Sequence, residues 1–188
     1  DLVKVGVLSA LAFVLMVLEI PIPFLFPAFL QLDMSDLPAL LGGFALGPIA
    51  GIIIEFIKNV LHFIFKNNGT GGVGNLANFI VGIGFVVPAA WYYRMHKNIK
   101  GALGGMGLGI LGMVILSSLA NWFILIPAYT KLMPLETIIG IANEANHRIV
   151  DVRTYVLWAV IPFNAIKALL VSLVTYLIYK PLSPLLHR

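Results

Sequence analysis

The sequence predicts an all-α integral membrane protein with six transmembrane helices, the second of them short. Three observations carry that prediction. Hydrophobic residues make up 60% of the 188 positions and charged residues 11%, with a mean hydropathy of +1.00. A soluble domain carries roughly a quarter charged residues, so this chain has too little polar surface to cover a water-soluble globule. The apolar residues fall in continuous runs, whereas the strands of a membrane β-barrel would alternate. The basic residues gather at the ends of those runs, as membrane topology requires. The net charge of +4 therefore reports orientation in a lipid bilayer, and no patch for nucleic acid is formed. With no cysteine in the chain, disulfides are excluded.

The first run is Leu2 to Ile20. It is too long for the apolar part of a signal peptide and lacks a small-x-small cleavage site before Pro21, so it is read as a retained span. The start at Asp1 without methionine implies a trimmed N-terminus. Gly6 and Ala10 form a small-xxx-small pair that lets another helix approach closely, inside the bundle or outside it. Pro21 to Ser35 follows, and its three prolines forbid a continuous helix. This apolar, aromatic loop is read either as a lid over something or as an interfacial anchor. Ser35 or Asp36 can cap the next helix, Leu37 to Leu46, with Pro38 in its first turn.

Gly47-Pro48 breaks the chain, and the third span runs from Pro48 to Phe65. Glu55, Lys58, Asn59 and His62 form one polar stripe along it, which must face the bundle interior. The stripe is a self-satisfied Glu55–Lys58 pair or part of a ligand site. The loop from Asn67 to Gly74 contains Gly69-Thr-Gly-Gly-Val-Gly74, a match to a dinucleotide-binding fingerprint. No β-strand precedes it and no βαβ unit can surround it in this setting, so it is set aside. The fourth span, Asn75 to Tyr93, carries Asn75, Asn78 and Gly82 on one face. Arg94 to Lys100 is the most basic connection. The fifth span, Gly101 to Ala128, opens with Gly101, Gly105 and Gly109 as a close-packing seam, and continues with Ser117, Ser118, Asn121 and Trp122. Thr130 to Thr154 is a polar loop with a short helix expected around Leu135 to Asn146. The sixth span, Tyr155 to Tyr179, is interrupted at mid-depth by Asn164 and Lys167 on one helix face. A lysine there costs a few kcal/mol or more unless a partner, a polar cavity or a ligand receives it.

Six crossings with both termini in the cytoplasm place Lys4, Arg94, Lys97, Lys100, Lys180 and Arg188 inside, as the positive-inside tendency asks. Most acids, Glu19, Asp33 and Asp36 among them, then fall outside.

No enzymatic motif is present: no HExxH, no GxSxG and no phosphate-loop lysine. The histidines are scattered, and His62 with Glu55 supplies too few ligands for a metal. A binding pocket fits better. Asn78, Asn121, Asn164 and Lys167 come from three spans and meet at similar depth in the outer half. Asparagine presents a donor and an acceptor side by side, which suits a planar ligand with C=O and N–H groups. Trp122, Phe123, Phe79 and Phe163 are candidates to pack on a flat ring. The group holds little net charge, which favours a neutral or weakly charged ligand.

The segments Leu8–Leu15, Pro21–Pro27, Leu32-Asp-Met-Ser-Asp-Leu-Pro38, Phe44–Gly51, Leu76-Ala-Asn-Phe79, Asn121–Tyr129 and Ile161-Pro-Phe-Asn-Ala-Ile-Lys167 resemble the substrate-binding S-components of energy-coupling factor (ECF) vitamin transporters. The resemblance covers nearly the whole chain as one domain, residues 1–188, and is strongest to the riboflavin-specific members. It implies an S-component-like bundle that binds riboflavin from outside, needs no cofactor and has no ATPase activity of its own. It also implies partners: a transmembrane coupling subunit and two cytoplasmic ATPases. Asn121, Asn164 and Lys167 match positions that contact the flavin ring. Gly6 and Ala10 match the small-residue motif that meets the coupling subunit, with Gly6 where alanine is commoner. The residues alone leave other readings open: an S-component for thiamine, biotin or folate, an intramembrane hydrolase, or a structural subunit.

Overall fold

The computed structural model describes residues 1–66 and 71–186, the last eight of these by backbone only. Gly69 and Thr70 of the fingerprint match, the side chain of Lys180 and all of Arg188 lie outside the described residues. The chain is almost entirely helical: α1 (Leu2–Val17), α2 (Asp36–Leu46), α3 (Pro48–Phe65), α4 (Val73–Met95), α5 (Ile99–Ala120), α6 (Ile126–Tyr129), α7 (Leu135–Ala145), α8 (Val152–Tyr155) and α9 (Ile161–Leu186). A π-helical turn at Asn121–Leu125 joins α5 to α6, and a second at Val156–Val160 joins α8 to α9.

Among the described residues, four helices are long and apolar enough to cross a membrane: Pro48–Phe65, Val73–Met95, Ile99–Tyr129 and Val152–Ile178. α1 and α2 are also apolar but shorter, with 16 and 11 residues. Counting joined helices once, the described residues hold seven helical runs where six were expected. The extra one is α7, the short helix anticipated in the polar loop. α1 ends at Val17 rather than Ile20 because Ile20 and Pro21 pair with Leu32 and Gln31 in a two-residue antiparallel hairpin, β1–β2.

Helix starts and stops follow from local chemistry. Gly47 takes φ 101°, a left-handed conformation that ends α2 and lets Pro48 open α3 at once. Asn98 caps α5 by accepting from the Gly101 N–H at 2.9 Å. Asp151 and Thr154 form a capping box at α8, and the Thr154 N–H and hydroxyl hold the Asp151 carboxyl below its ordinary range.

The core is built around α4. Its Phe85, Val86, Ala89, Ala90 and Tyr93 belong to one buried cluster with Leu40 and Phe44 of α2, Met106 and Met113 of α5, and Ala168 and Val171 of α9. The expected glycine seam on α5 is present: a Cβ on Gly105 or Gly109 would sit 2.6 Å from the carbonyl oxygen of Ala89 or Phe85. Only residues without a side chain permit that backbone approach. A second cluster, including Ile126, Ile138, Ala142, Ile149 and Tyr155, fastens α7 over one end of the bundle. Val7, Leu11 and Val14 of α1, Leu111 and Ile115 of α5, and Leu169 and Leu173 of α9 are exposed, an apolar belt that only lipid or a partner can cover.

Candidate functional site

Helices α1, α3, α4, α6, α8 and α9 and the π-turn at Asn121–Leu125 converge with the β1–β2 hairpin around a cavity of about 210 Å³ at one end of the bundle. Asn121, Asn164 and Lys167 all line it, as does Asn78. Each reaches the cavity through a local device. Asn121 opens one π-turn, and Asn164 follows the other by four residues. Such turns rotate the side chains that follow and recur at functional sites. Asn121 Nδ2 donates to Ser117 O at 2.9 Å and Asn164 Nδ2 to Val160 O at 2.8 Å. Each amide thus spends one N–H on the turn behind it, which leaves its carbonyl oxygen and second N–H for an occupant.

Asn78 is committed differently. Its Oδ1 accepts from Asn59 Nδ2 at 3.3 Å, and its Nδ2 donates to Asp33 Oδ2 at 3.5 Å. It braces the wall and has little left to present.

Lys167 answers the question its depth poses. Its Nζ donates to Asp33 Oδ2 at 2.9 Å and lies 3.1 Å from Asp36 Oδ2. Asp36 in turn pairs with Lys58, which also reaches Glu55 at 2.8 Å and Ser35 Oγ at 2.7 Å. The α3 stripe is buried as expected: Glu55 and Lys58 are 0% exposed and His62 1%. Glu55–Lys58 is therefore one link of a longer chain of ion pairs, not a self-contained pair.

Asp33 and Asp36 are buried, 4% and 0% exposed. Two lysines buried in a bundle require carboxylates, and these two stand where the chain enters α2. The expected cap on α2 is absent for the same reason. Ser35 makes no side-chain cap bond, and its hydroxyl and the Asp36 carboxylate both turn to Lys58.

The aromatic expectation needs correction as well. Phe163 lines the cavity, but Trp122 and Phe123 are exposed on the apolar belt, and Phe79 packs on Phe56. The rings around the cavity are Phe29, Tyr129, Tyr155 and Phe163. A single span's sequence does not say which side of it meets the cavity, and the π-turns alter the helical phase on which such a reading depends.

The loop at 21–35 lies over this end. Phe26 is buried edge-on against Phe163 at 5.3 Å, and Phe29 faces Tyr155 at 6.2 Å. Phe24 and Leu25 at its tip are exposed, so the loop turns one apolar side toward the cavity and another outward.

The opposite wall was not foreseen. Asn75 Nδ2 donates to His62 Nδ1 at 2.9 Å, which leaves the ring proton on Nε2, 3.6 Å from Glu19 Oε1. Lys66 reaches the same Glu19 oxygen at 2.9 Å. Glu19, Gln31, His62 and Asn75 all line the cavity. Only the offsets of His62 and Asn75 within their helices hinted at it.

A bundle of apolar helices around a half-polar, aromatic-lined cavity at one end, covered by a loop, defines a membrane-embedded binder of small molecules. The sequence profile described as "ECF transporter, substrate-specific component" matches residues 1–179, and the chain belongs to that family. It is 37% identical over 187 residues to the riboflavin transporter RibU of Staphylococcus aureus (strain TCH60), covering 100% of this chain and 92% of that one. It is also 37% identical over 188 residues to the riboflavin transporter FmnP of Bacillus subtilis (strain 168), at 100% and 94% coverage. A solved S component of a bacterial ECF transporter superposes with a TM-score of 0.76 at 35% identity, over 100% of this chain and 97% of the other.

Proposed function

We propose that this chain is the riboflavin-binding subunit of an ECF-type importer. It captures the vitamin from outside for ATP-driven uptake by a separate module, made of a transmembrane coupling subunit and two cytoplasmic ATPases. The observation that carries this reading is the cavity at one end of the bundle, lined by Asn121 and Asn164 together with the rings of Phe163 and Tyr155. Both near-full-length relatives described above are named as riboflavin transporters.

In this reading residues 1–188 are one substrate-binding domain that crosses the membrane six times, α1 and α2 included, with both termini cytoplasmic. Asn121 and Asn164 pair with the pyrimidine edge of the flavin. Lys167, with two N–H groups directed at Asp33 and Asp36, donates its third to a ring carbonyl or nitrogen. Asn78 contributes by bracing that wall. Gly6 and Ala10 are exposed, and a Cβ at Gly6 would meet nothing within 4 Å, which fits a surface kept bare for the coupling subunit. The chain acts as a binder and transport subunit without catalysis or cofactor, the energy coming from its partners.

The test is an absorption spectrum of the detergent-purified protein, followed by a riboflavin titration that follows tryptophan fluorescence. A flavin spectrum or saturable quenching at low concentration is the expected result. A colourless protein whose fluorescence ignores riboflavin overturns the substrate assignment and leads to a panel of other vitamins.

A further inference from the structure

Asp33 is the residue where lid, cavity and buried ion pairs meet. It follows β2 (Gln31–Leu32) directly and precedes α2, so it belongs to the loop that covers the cavity. Its Oδ1 accepts from the Ser35 N–H at 2.8 Å, which fixes the carboxylate against its own backbone. Its Oδ2 receives Lys167 at 2.9 Å and Asn78 at 3.5 Å. It is 4% exposed, and both it and Lys167 line the cavity.

The charge arrangement around it is asymmetric. Lys167 lies between Asp33 and Asp36, and Asp36 is already shared with Lys58, which Glu55 also holds. Among the described residues, Asp33 forms its ion pair with Lys167 alone. Across the cavity the ionisable groups are Glu19 and His62, with Lys66 against Glu19. Asp33 and Asp36 together therefore set how much positive potential Lys167 projects, and of the two Asp33 is the one that lines the cavity.

We propose that Asp33 is a positioning residue that sets the charge selectivity of the cavity: by engaging the Lys167 ammonium and the Asn78 amide it gives the occupant a polar wall without an uncompensated cation, so a neutral heteroaromatic ring is preferred over an anionic one. This rests on the flavin reading of the cavity. In a site shielded from water, removing one unit of charge a few ångströms from the ring changes the relative affinity for an anion by roughly tenfold or more.

The experiment compares riboflavin with its 8-hydroxy analogue. The analogue is an anion at neutral pH, and its charge delocalises on to the pyrimidine carbonyl. Dissociation constants for both are measured by fluorescence on the full-length protein in detergent. The parent is expected to prefer riboflavin. Asp33→Asn, which keeps an acceptor for the Ser35 N–H, is expected to shift the ratio towards the anion by roughly tenfold or more. Asp33→Glu keeps the charge and is expected to keep the parent ratio even where both affinities fall. Asp33→Asn combined with Lys167→Met removes both charges and is expected to return the ratio to that of the parent.

Equal weakening of both ligands by Asp33→Asn assigns Asp33 to structure alone and overturns the proposal. A double variant that keeps the ratio of Asp33→Asn overturns it too. A parent that binds riboflavin with a ratio indifferent to Asp33→Asn overturns the proposal and leaves the flavin reading standing, whereas a parent that binds neither flavin overturns both.

Discussion

Lys58 shows most directly how single residues hold this bundle. It is 0% exposed and receives Asp36, Glu55 and Ser35 around one ammonium. A buried ion pair adds little over a well-packed apolar pair, but removing one partner strands the other in a medium that cannot solvate it. Lys58→Met is therefore expected to cost about 3–5 kcal/mol, read as a lowered thermal unfolding midpoint in detergent. Lys66→Ala, at a pair whose lysine side chain is 37% exposed, is expected to cost about 1 kcal/mol or less. Equal effects at the two lysines would contradict the burial argument. Among the asparagines the expected order follows from their free valences. Asn121→Ala and Asn164→Ala each remove a group facing the cavity and should weaken riboflavin binding roughly ten- to a hundredfold, the cost of about 1–3 kcal/mol for one lost buried partner. Asn78→Ala, whose amide is already tied to Asn59 and Asp33, should cost less. Titrations on the three variants give the order.

At the scale of elements, α4 and α5 form the most extensive helix pair, and they approach along faces where glycines replace side chains. A Cβ on Gly109 would lie 2.6 Å from Phe85 O, whereas one on Gly107 meets nothing within 4 Å. Gly109→Val is expected to lower the unfolding midpoint by an amount corresponding to about 1–3 kcal/mol, and Gly107→Val to leave it nearly unchanged. The seam was legible in the spacing of Gly105 and Gly109, because a four-residue repeat can only mean one helix face. The two π-turns were not legible. They depend on how Asn121–Leu125 and Val156–Val160 pack against each other and against α7, and no local pattern announces an i,i+5 bond. The lid was half-legible: three prolines excluded a helix, but only the packing of Phe26 on Phe163 shows which side faces in.

For the whole molecule, the cavity lies at one end and the basic turn Arg94–Lys100 at the other, beside Gly47, whose added Cβ would come within 3.9 Å of Arg94. If the basic end is cytoplasmic, Lys97→Cys in this cysteine-free chain should react with a membrane-impermeant reagent only in inverted vesicles, and Lys131→Cys only in right-side-out ones. The bare face of α1 gives a second expectation: Gly6→Leu should leave riboflavin titration unchanged and abolish co-purification with the coupling subunit. Loss of both together would place Gly6 in the fold instead.

Composition and the run lengths were enough to determine a helical membrane protein, the bounds of its longer helices to within a few residues, and the presence of a polar group containing Asn121, Asn164 and Lys167. Those features are one-dimensional, since hydropathy, helix breakers and a lysine at membrane depth act where they stand in the chain. The partners of that lysine came only from the tertiary structure. Asp33 lies 134 positions away from Lys167 in a segment that reads as a lid or an interfacial anchor, and its burial depends on how the hairpin folds back over the bundle. The aromatic lining is the same kind of fact. Trp122 and Phe163 carry equal signals in sequence, and only the rotation of their helices turns one outward and the other to the cavity.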